Sequence, residues 1–293
     1  MFGVPVAPDA AMPNAHMVCH RPLRPCRQWL HSLSTMKTAK RLNVRIFVLA
    51  AALGWAGGMA HAAEVLVAVA ANFMQPMKQI AQAFAQHSGH QAQLSFGASG
   101  QLMAQIQNGA PYQVLLSADA AIPAQLVQKG LAVPNTSFTY AVGQLVLWSA
   151  DPKLVDGQGD VLRKGSFQRI ARANPKLAPY GAATMQVIER MGLGAALEKK
   201  WVQGENINQT HQFVASGNAD LGFVAMSQVG AAGSQPMGSL WLVPSHWHDP
   251  ILQNAVLLTK GKDNAAAIAL MAFLKTPAAR NIIRQAGYRL DPP

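Results

Sequence analysis

Cysteine is almost absent from this chain of 293 residues: the two cysteines are Cys19 and Cys26. Their spacing matches no common metal-binding pattern, and both lie within the first 35 residues. The rest of the chain has no thiol and can form no disulfide, which excludes a fold held together by disulfides. Such a chain can fold in an oxidising compartment, but it does not need an oxidising compartment to fold.

Charged residues are also scarce, at 13% of the chain, and acidic residues are the rarer kind. The formal net charge is +11, but 7 of the 24 Lys and Arg residues lie in residues 1–62 and the others are scattered. Because we find neither a basic cluster nor an aromatic stacking platform, we expect no nucleic-acid partner. Repeats, low-complexity tracts and long charged runs are missing too, and half of the residues are hydrophobic. The composition predicts a folded protein of one or two domains.

The N-terminal segment over residues 36–62 has the three parts of a secretory signal peptide. Residues 36–45 are basic, residues 46–59 are apolar, and Ala60-His61-Ala62 has the small residues of a cleavage site. The apolar run is shorter than the roughly 20 residues of a membrane-spanning helix. We therefore expect cleavage after Ala62 rather than membrane anchoring.

Residues 1–35 precede this complete signal peptide and show no periodicity. We interpret them as a mis-assigned N-terminal extension, with Met36 as the true start. After cleavage the chain would begin at Ala63, and since no cysteine follows, we expect no lipid anchor there.

Hydrophobic patterning predicts two successive series of strands and helices. In the first, strands at residues 65–70, 92–96 and 114–117 alternate with helices, which favours an open parallel sheet flanked by helices. Residues 138–148 form a long extended stretch that crosses to a second series, with Gly143 near the hinge. The further predicted strands are 168–173, one near Val202, 221–225 and 255–258; the further helices are 182–191, 194–200, one from about Asn208, 264–274 and 277–286.

The turn Phe96-Gly97-Ala98-Ser99-Gly100-Gln101 lies where a predicted strand becomes a helix. Its two glycines lack Cβ atoms, so main-chain N–H groups can approach a ligand closely. A helix start carries unpaired N–H donors and a partial positive charge, which attract anions. With the hydroxyl of Ser99 as a further donor, we predict one side of a small-oxyanion site here.

Three other turns share this character, each following a predicted strand and starting a helix with small or amide residues. In open α/β sheets, ligands bind in the crevice outside the carboxyl ends of the strands. A Ser or Asn at a helix start is more often a simple N-cap, so the prediction rests on the set. None of the turns contains Lys or Arg, so an anion there would be held by neutral donors. The four turns are Ala71-Asn72, Ala98-Ser99-Gly100, Pro179-Tyr180-Gly181 and Asn206-Ile207-Asn208.

Nine segments carry a further signal, because their order and spacing match those of a known family. They are Val67–Phe73, Phe96–Gln101, Asn108–Tyr112, Ser117–Asp119, Phe138–Ala141, Leu145–Ser149, Ala173–Pro175, Ala178–Gly181 and Ala219–Val224. With these segments, the chain resembles the substrate-binding proteins of molybdate ABC transporters over residues 64–290. The resemblance implies a two-lobed α/β fold of the Venus-flytrap type, with a mixed or parallel sheet in each lobe and the ligand in the cleft. It implies lobe one at residues 64–143 plus 252–293 and lobe two at residues 144–251.

The same resemblance implies a periplasmic protein that captures molybdate, and tungstate, and delivers it to an ABC permease in the inner membrane. We expect a monomer without a cofactor and without enzymatic activity. The ligand contacts carried over are Ala71, Asn72, Ser99, Tyr180 and Ile207. The first turn lacks the hydroxyl that members of the family present there, so the Asn72 amide is expected to contribute more. Ala225 stands where some members donate a tyrosine hydroxyl.

Two alternatives remain open at this point. Residues 97–101 approach the G-x-S-x-G motif of serine hydrolases, but Gln101 replaces its last glycine. The same fold could also bind sulfate, phosphate or a small organic anion.

Another motif, His246-Trp247-His248, offers only two metal ligands without a third, and we interpret it as part of a packed surface loop.

Overall fold

The computed structural model describes residues 62–230 and 238–290. The predicted extension over residues 1–35 and the signal peptide over residues 36–62 lie outside the described residues, except for Ala62. The described strands form two sheets of five strands each. The first sheet contains β1 (Glu64–Ala70), β2 (Gln91–Gly97), β3 (Val114–Leu116), β4 (Phe138–Gly143) and β10 (Ile251–Leu257). The second contains β5 (Leu145–Ser149), β6 (Ile170–Ala173), β7 (Trp201–Gly204), β8 (Leu221–Ala225) and β9 (Ser239–Leu242).

Helices follow most of the strands, as the α/β pattern predicts. They are α1 (Met74–Ser88), α2 (Ser99–Gln107), α3 (Ala121–Gln128), α4 (Val161–Lys164), α5 (Pro179–Arg190), α6 (Gly194–Leu197), α7 (Ile207–Ala215), α8 (Met226–Val229), α9 (Ala265–Phe273) and α10 (Pro277–Gln285). Short 3-10 turns lie at Ala71–Phe73, Glu198–Lys200, Ser245–Trp247 and Thr259–Gly261. Among the described helices, none alone is long and apolar enough to cross a membrane; α9 and α10, bent by 61°, reach that threshold only together.

The two sheets are built alike. The first has the order β2-β1-β3-β10-β4, and the second has the order β7-β6-β8-β5-β9. In each sheet the first three strands are parallel, and the last two pair antiparallel with their neighbours. The mixed α/β architecture is therefore confirmed, with parallel strands ending at one edge of each sheet.

The chain passes from one sheet to the other at Gln144, between β4 and β5, within the extended stretch that the sequence predicts. It returns to the first sheet between β9 and β10, and α9 and α10 then pack against β1 and α1. The lobe boundaries given above stay a prediction.

Several elements differ from their sequence prediction. Helix α5 begins at Pro179 rather than at residue 182, because proline fits the first turn of a helix. Strand β10 begins at Ile251 rather than at residue 255, since the buried Gln253 interrupts the apolar run that marks its second half. Strand β9 and helices α4 and α8 were not predicted, because four residues are too few to show a periodicity.

Candidate functional site

The first predicted turn joins β1 to α1, and Asn72 in it is buried. Nδ2 of Asn72 donates to Oε1 of Gln253 and to the hydroxyl of Tyr288, both at 2.9 Å. Both amide hydrogens are therefore used inside the protein. This corrects the expectation that the Asn72 amide faces a ligand: the side chain holds the turn in place, and its main-chain N–H is the group left for an anion.

The second turn begins α2 with Ser99, whose side chain is almost fully buried. Oγ of Ser99 accepts a hydrogen bond from the N–H of Ala118 at 3.0 Å. Because the hydroxyl acts as the acceptor in that bond, its own hydrogen is left for a ligand oxygen. The next N–H of the helix, from Gly100, donates to the carbonyl oxygen of Leu177 at 2.9 Å.

The third turn brings Tyr180 to the first turn of α5, where it is 1% exposed. The preceding loop is closed by the carbonyl oxygen of Asn174, which accepts from the N–H groups of Leu177 and Ala178. A Cβ on Gly181 would lie 2.9 Å from the carbonyl carbon of Ala173. Only glycine lets the helix start this close to the end of β6.

The fourth turn is capped by Asn206, whose Oδ1 accepts from the N–H groups of Asn208 and Gln209 at 3.0 and 3.1 Å. The N–H of Thr210 donates to the carbonyl oxygen of Asn206. The Thr210 bond is the first bond within the helix, so the cap satisfies two of the N–H groups that a helix start leaves without an intrahelical partner, those of Asn208 and Gln209. Within the first turn of α7, the N–H of the buried Ile207 is not used by these bonds, and Ile207 is the residue to which the family resemblance assigns the contact.

Each of the four turns contributes one residue to the same buried cluster. Ala71, Ala98, Tyr180 and Ile207 belong to a single buried cluster that includes residues of both sheets. Ser99 and Asn72 directly follow two of its members. Beyond the Gly100–Leu177 bond, Oγ of Ser227 donates to the carbonyl oxygen of Asn72 at 3.1 Å, which joins α8 to the first turn. Whether these residues contact a ligand stays a prediction.

Sequence reasoning missed a network of buried polar side chains behind the turns. Its centre is Gln253 on β10, which is fully buried. Oε1 of Gln253 accepts from Asn72 and from the hydroxyl of Tyr140 at 3.0 Å, and its Nε2 donates to the hydroxyl of Tyr180 at 3.1 Å. Tyr288 completes the network by donating to the carbonyl oxygen of Asn72 at 2.8 Å. The one available signal was a pair of polar residues, Gln253 and Asn254, inside a strand whose other residues are apolar.

The groups of this network are neutral. Burial raises the pKa of the hydroxyls of Tyr140, Tyr180 and Tyr288 above the ordinary value of tyrosine, so all three stay protonated.

Two titratable groups outside the network also have shifted pKa values. Burial raises the pKa of Asp119, while the hydrogen bond that its carboxylate accepts from the N–H of Ile122 lowers it. The imidazole of His211 stacks on the ring of Trp148 with 4.9 Å between the ring centroids, and burial lowers the pKa of His211.

Two cavities adjoin the turns. One of about 630 Å³ is lined by the first and fourth turns, including Ala71, Asn72, Asn206 and Asn208. Another of about 310 Å³ is lined by residues next to Ser99 and Tyr180, including Gly100, Ala118, Ala178 and Pro179. Within residues 62–230 and 238–290, no three His, Cys, Asp or Glu side chains are placed to hold a metal ion. The turns offer hydrogen-bond donors, which suit an anion.

The class of the protein is a solute-binding protein: the chain belongs to the bacterial extracellular solute-binding protein family, whose model matches residues 65–289. It is accordingly a binding protein and not the serine hydrolase considered for Ser99.

Within this family, the chain is similar to proteins that are named for molybdate binding. The chain is 53% identical to the molybdate-binding protein ModA of Azotobacter vinelandii over 244 residues, which cover 83% of this chain and 97% of that protein. It is 52% identical to ModA of Rhodobacter capsulatus over 230 residues, covering 78% and 89% of the two chains. Among solved structures, the Azotobacter vinelandii periplasmic molybdate-binding protein matches with a TM-score of 0.75 at 44% identity, covering 78% of this chain and all of that one.

Proposed function

We propose that this protein captures molybdate, and tungstate, in the periplasm and delivers it to an ABC permease in the inner membrane. Proteins named for molybdate binding are more than half identical to it over most of its length. The structural observation that carries the proposal is the convergence of four helix-starting turns on one buried cluster. The proposed contacts are Ala71, Asn72, Ser99, Tyr180 and Ile207.

The donors of these turns match the chemistry of molybdate. Molybdate is a fully deprotonated dianion at neutral pH, so its oxygens only accept hydrogen bonds. Ser99 offers a hydroxyl hydrogen, Ile207 and Asn72 offer main-chain N–H groups, and Tyr180 offers a hydroxyl. Helix N-termini add partial positive charge without Lys or Arg. Because no cationic counter-charge has to be desolvated when the ligand leaves, such a site suits reversible capture.

Selection against sulfate would rest on size. Both anions present four oxygens, but molybdate is the larger. Donors fixed by α2, α5 and α7 at the spacing of the larger ion would be too far from the oxygens of the smaller one. The buried network behind the turns supports this proposal because it limits how far Asn72 and Tyr180 can shift toward a smaller guest.

The two sheets would form two lobes, residues 64–143 plus 252–293 and residues 144–251, that close around the anion. Closure of the hinge type would be the state that the permease recognises. We propose that the protein acts as a monomer after cleavage of the signal peptide over residues 36–62.

The melting temperature of the purified protein tests this function. A ligand that binds only the folded state raises it with concentration. We expect molybdate and tungstate to raise it saturably, and sulfate and phosphate to raise it far less at equal concentrations. A larger shift with sulfate than with molybdate would identify a sulfate-binding protein of the same fold instead.

A further inference from the structure

The glutamine at the centre of the buried network bears on how the proposed site works. Gln253 is fully buried on β10, behind the turns. It contacts two of the residues proposed to bind the anion, Asn72 and Tyr180. A residue in this place can act on the ligand only through those neighbours.

The partners of Gln253 fix which way its amide faces. Its Oε1 lies 2.9 Å from Nδ2 of Asn72 and 3.0 Å from the hydroxyl of Tyr140. An amide nitrogen is a donor only, so Oε1 must be the atom that faces Asn72. The Asn72 amide is oriented in turn by its second bond, to Tyr288. The Nε2 of Gln253 is therefore left to face Tyr180.

This orientation determines the role of the Tyr180 hydroxyl. Nε2 of Gln253 donates to that oxygen at 3.1 Å, so the hydroxyl is an acceptor on this side. A phenol carries a single hydrogen. Since that hydrogen is not needed for Gln253, it is left to point elsewhere, and burial keeps the hydroxyl protonated by raising its pKa.

We propose that Gln253 is a positioning residue that makes Tyr180 a hydrogen-bond donor toward the bound oxyanion. This inference rests on the proposed function, because it needs a dianion in the site. With an acceptor in place of Nε2, the hydroxyl would donate backward into the protein and present a lone pair to the anion. Gln253 thus converts an ambiguous hydroxyl into a donor without contacting the ligand.

The close fit of the pair supports the same role. Gly143 lies beside both groups: a Cβ there would be 2.9 Å from Cζ of Tyr180 and 2.8 Å from Nε2 of Gln253. The backbone at the end of β4 therefore leaves no room for either side chain to turn away on that side. Tyr180 and Gln253 are held against each other by packing as well as by their hydrogen bond.

A double-mutant cycle tests the inference by titration calorimetry with molybdate. Gln253→Met keeps the length of the side chain and removes the donor, and Tyr180→Phe removes the hydroxyl. We expect each to weaken binding by about ten- to a hundredfold, as for a lost hydrogen bond to a charged group. Gln253→Met also removes the acceptor of Asn72, so we expect the double variant to bind somewhat more weakly than Tyr180→Phe alone, but by clearly less than the sum of the two single losses. Additive losses would overturn the inference.

The matched control is the exposed pair Tyr112 and Gln105, which share a 3.0 Å hydrogen bond away from the network. Tyr112→Phe and Gln105→Met should leave the affinity unchanged. If the wild-type protein is folded but does not bind molybdate, the proposed function fails and the inference falls with it. If the wild-type protein binds and the two losses add, only the inference fails.

A pH profile of Gln253→Glu provides a second test should Gln253→Met not fold. The introduced carboxylate accepts from Tyr180, so we expect weaker binding than in the wild-type protein at high pH. On protonation the carboxyl can donate again. Binding relative to the wild-type protein should therefore recover as the pH falls. A ratio of affinities that stays constant with pH would contradict the positioning role.

Discussion

The N–H of Gly100 donates to the carbonyl oxygen of Leu177 at 2.9 Å, which joins the start of α2 to the loop before α5. The bond directly links the second and third turns of the proposed site. A Cβ on Gly100 would lie 3.1 Å from both Cα and the carbonyl oxygen of Leu177. The absence of a side chain at Gly100 therefore sets how closely the two turns approach.

We predict that Gly100→Ala weakens molybdate binding more than it affects folding. The added methyl group would hold the loop at Leu177 away by a few tenths of an ångström, and overpacking of this kind costs about 1–3 kcal/mol. Alanine within a helix would itself add about 0.5–1 kcal/mol of stability. Calorimetry and urea unfolding separate the two effects. Gly194→Ala is the matched control, because its Cβ would meet nothing within 4 Å; equal affinities of both variants would contradict the prediction.

Ser99→Ala should weaken molybdate binding by about 1.5–3 kcal/mol, the range for a hydrogen bond to a charged group. The variant also removes the acceptor of the Ala118 N–H, so the free protein should lose some stability. Ser149→Ala controls for that loss, since Ser149 is equally buried and accepts from the N–H of Asp151 in the second sheet. An unchanged molybdate isotherm for Ser99→Ala would show that Ser99 is only a structural residue.

For Asn72→Ala we predict a loss of stability even without ligand. The substitution removes the shared donor of two buried hydrogen bonds, to Gln253 and to Tyr288, and each lost bond costs about 0.5–1.5 kcal/mol. Affinity should fall as well, since the first turn is no longer held. Urea unfolding of the free protein is the measurement. Asn218→Ala, which removes one exposed bond to Ser216, should leave both quantities unchanged, and wild-type stability of Asn72→Ala would refute the structural role of the amide.

The buried tyrosines predict a loss of stability at alkaline pH. Burial raises the pKa of Tyr140, Tyr180 and Tyr288 in the folded protein, whereas tyrosine in the unfolded chain titrates near pH ~10. Above that pH the unfolded chain releases protons that the folded protein keeps, so the free energy of unfolding falls as the pH rises. Measured by urea unfolding, the free energy of unfolding should fall less steeply with pH for Tyr288→Phe than for the wild-type protein. An identical slope for that variant would contradict the prediction.

Most of the strands and the four turns could be predicted because their signals are local. Strand β8 appears as the continuous apolar run 221–225, and the glycines beside Ser99 mark a strand that turns into a helix. The fourth turn was harder to place, since the sequence around Asn206-Ile207-Asn208 is less distinctive and leaves its register open. Only the cap made by Asn206 shows that Ile207 keeps its N–H.

The buried network could not be predicted, because its bonds join residues far apart in the sequence. Asn72 is 181 residues from Gln253 and 216 residues from Tyr288. No local pattern relates such positions, and a polar residue in a strand gives no indication of its partner. The role expected for the Asn72 amide differed from the structure for the same reason: its true partners lie near the other end of the chain.

The proposed function requires that neutral donors at the helix starts beside both sheets bind molybdate and distinguish it from sulfate. Titration calorimetry of the purified protein with molybdate, repeated in excess sulfate, measures both properties. We predict saturable binding of one molybdate per chain that excess sulfate leaves largely intact. A folded protein that gives no molybdate isotherm, or one from which sulfate displaces molybdate at equal concentration, would contradict it.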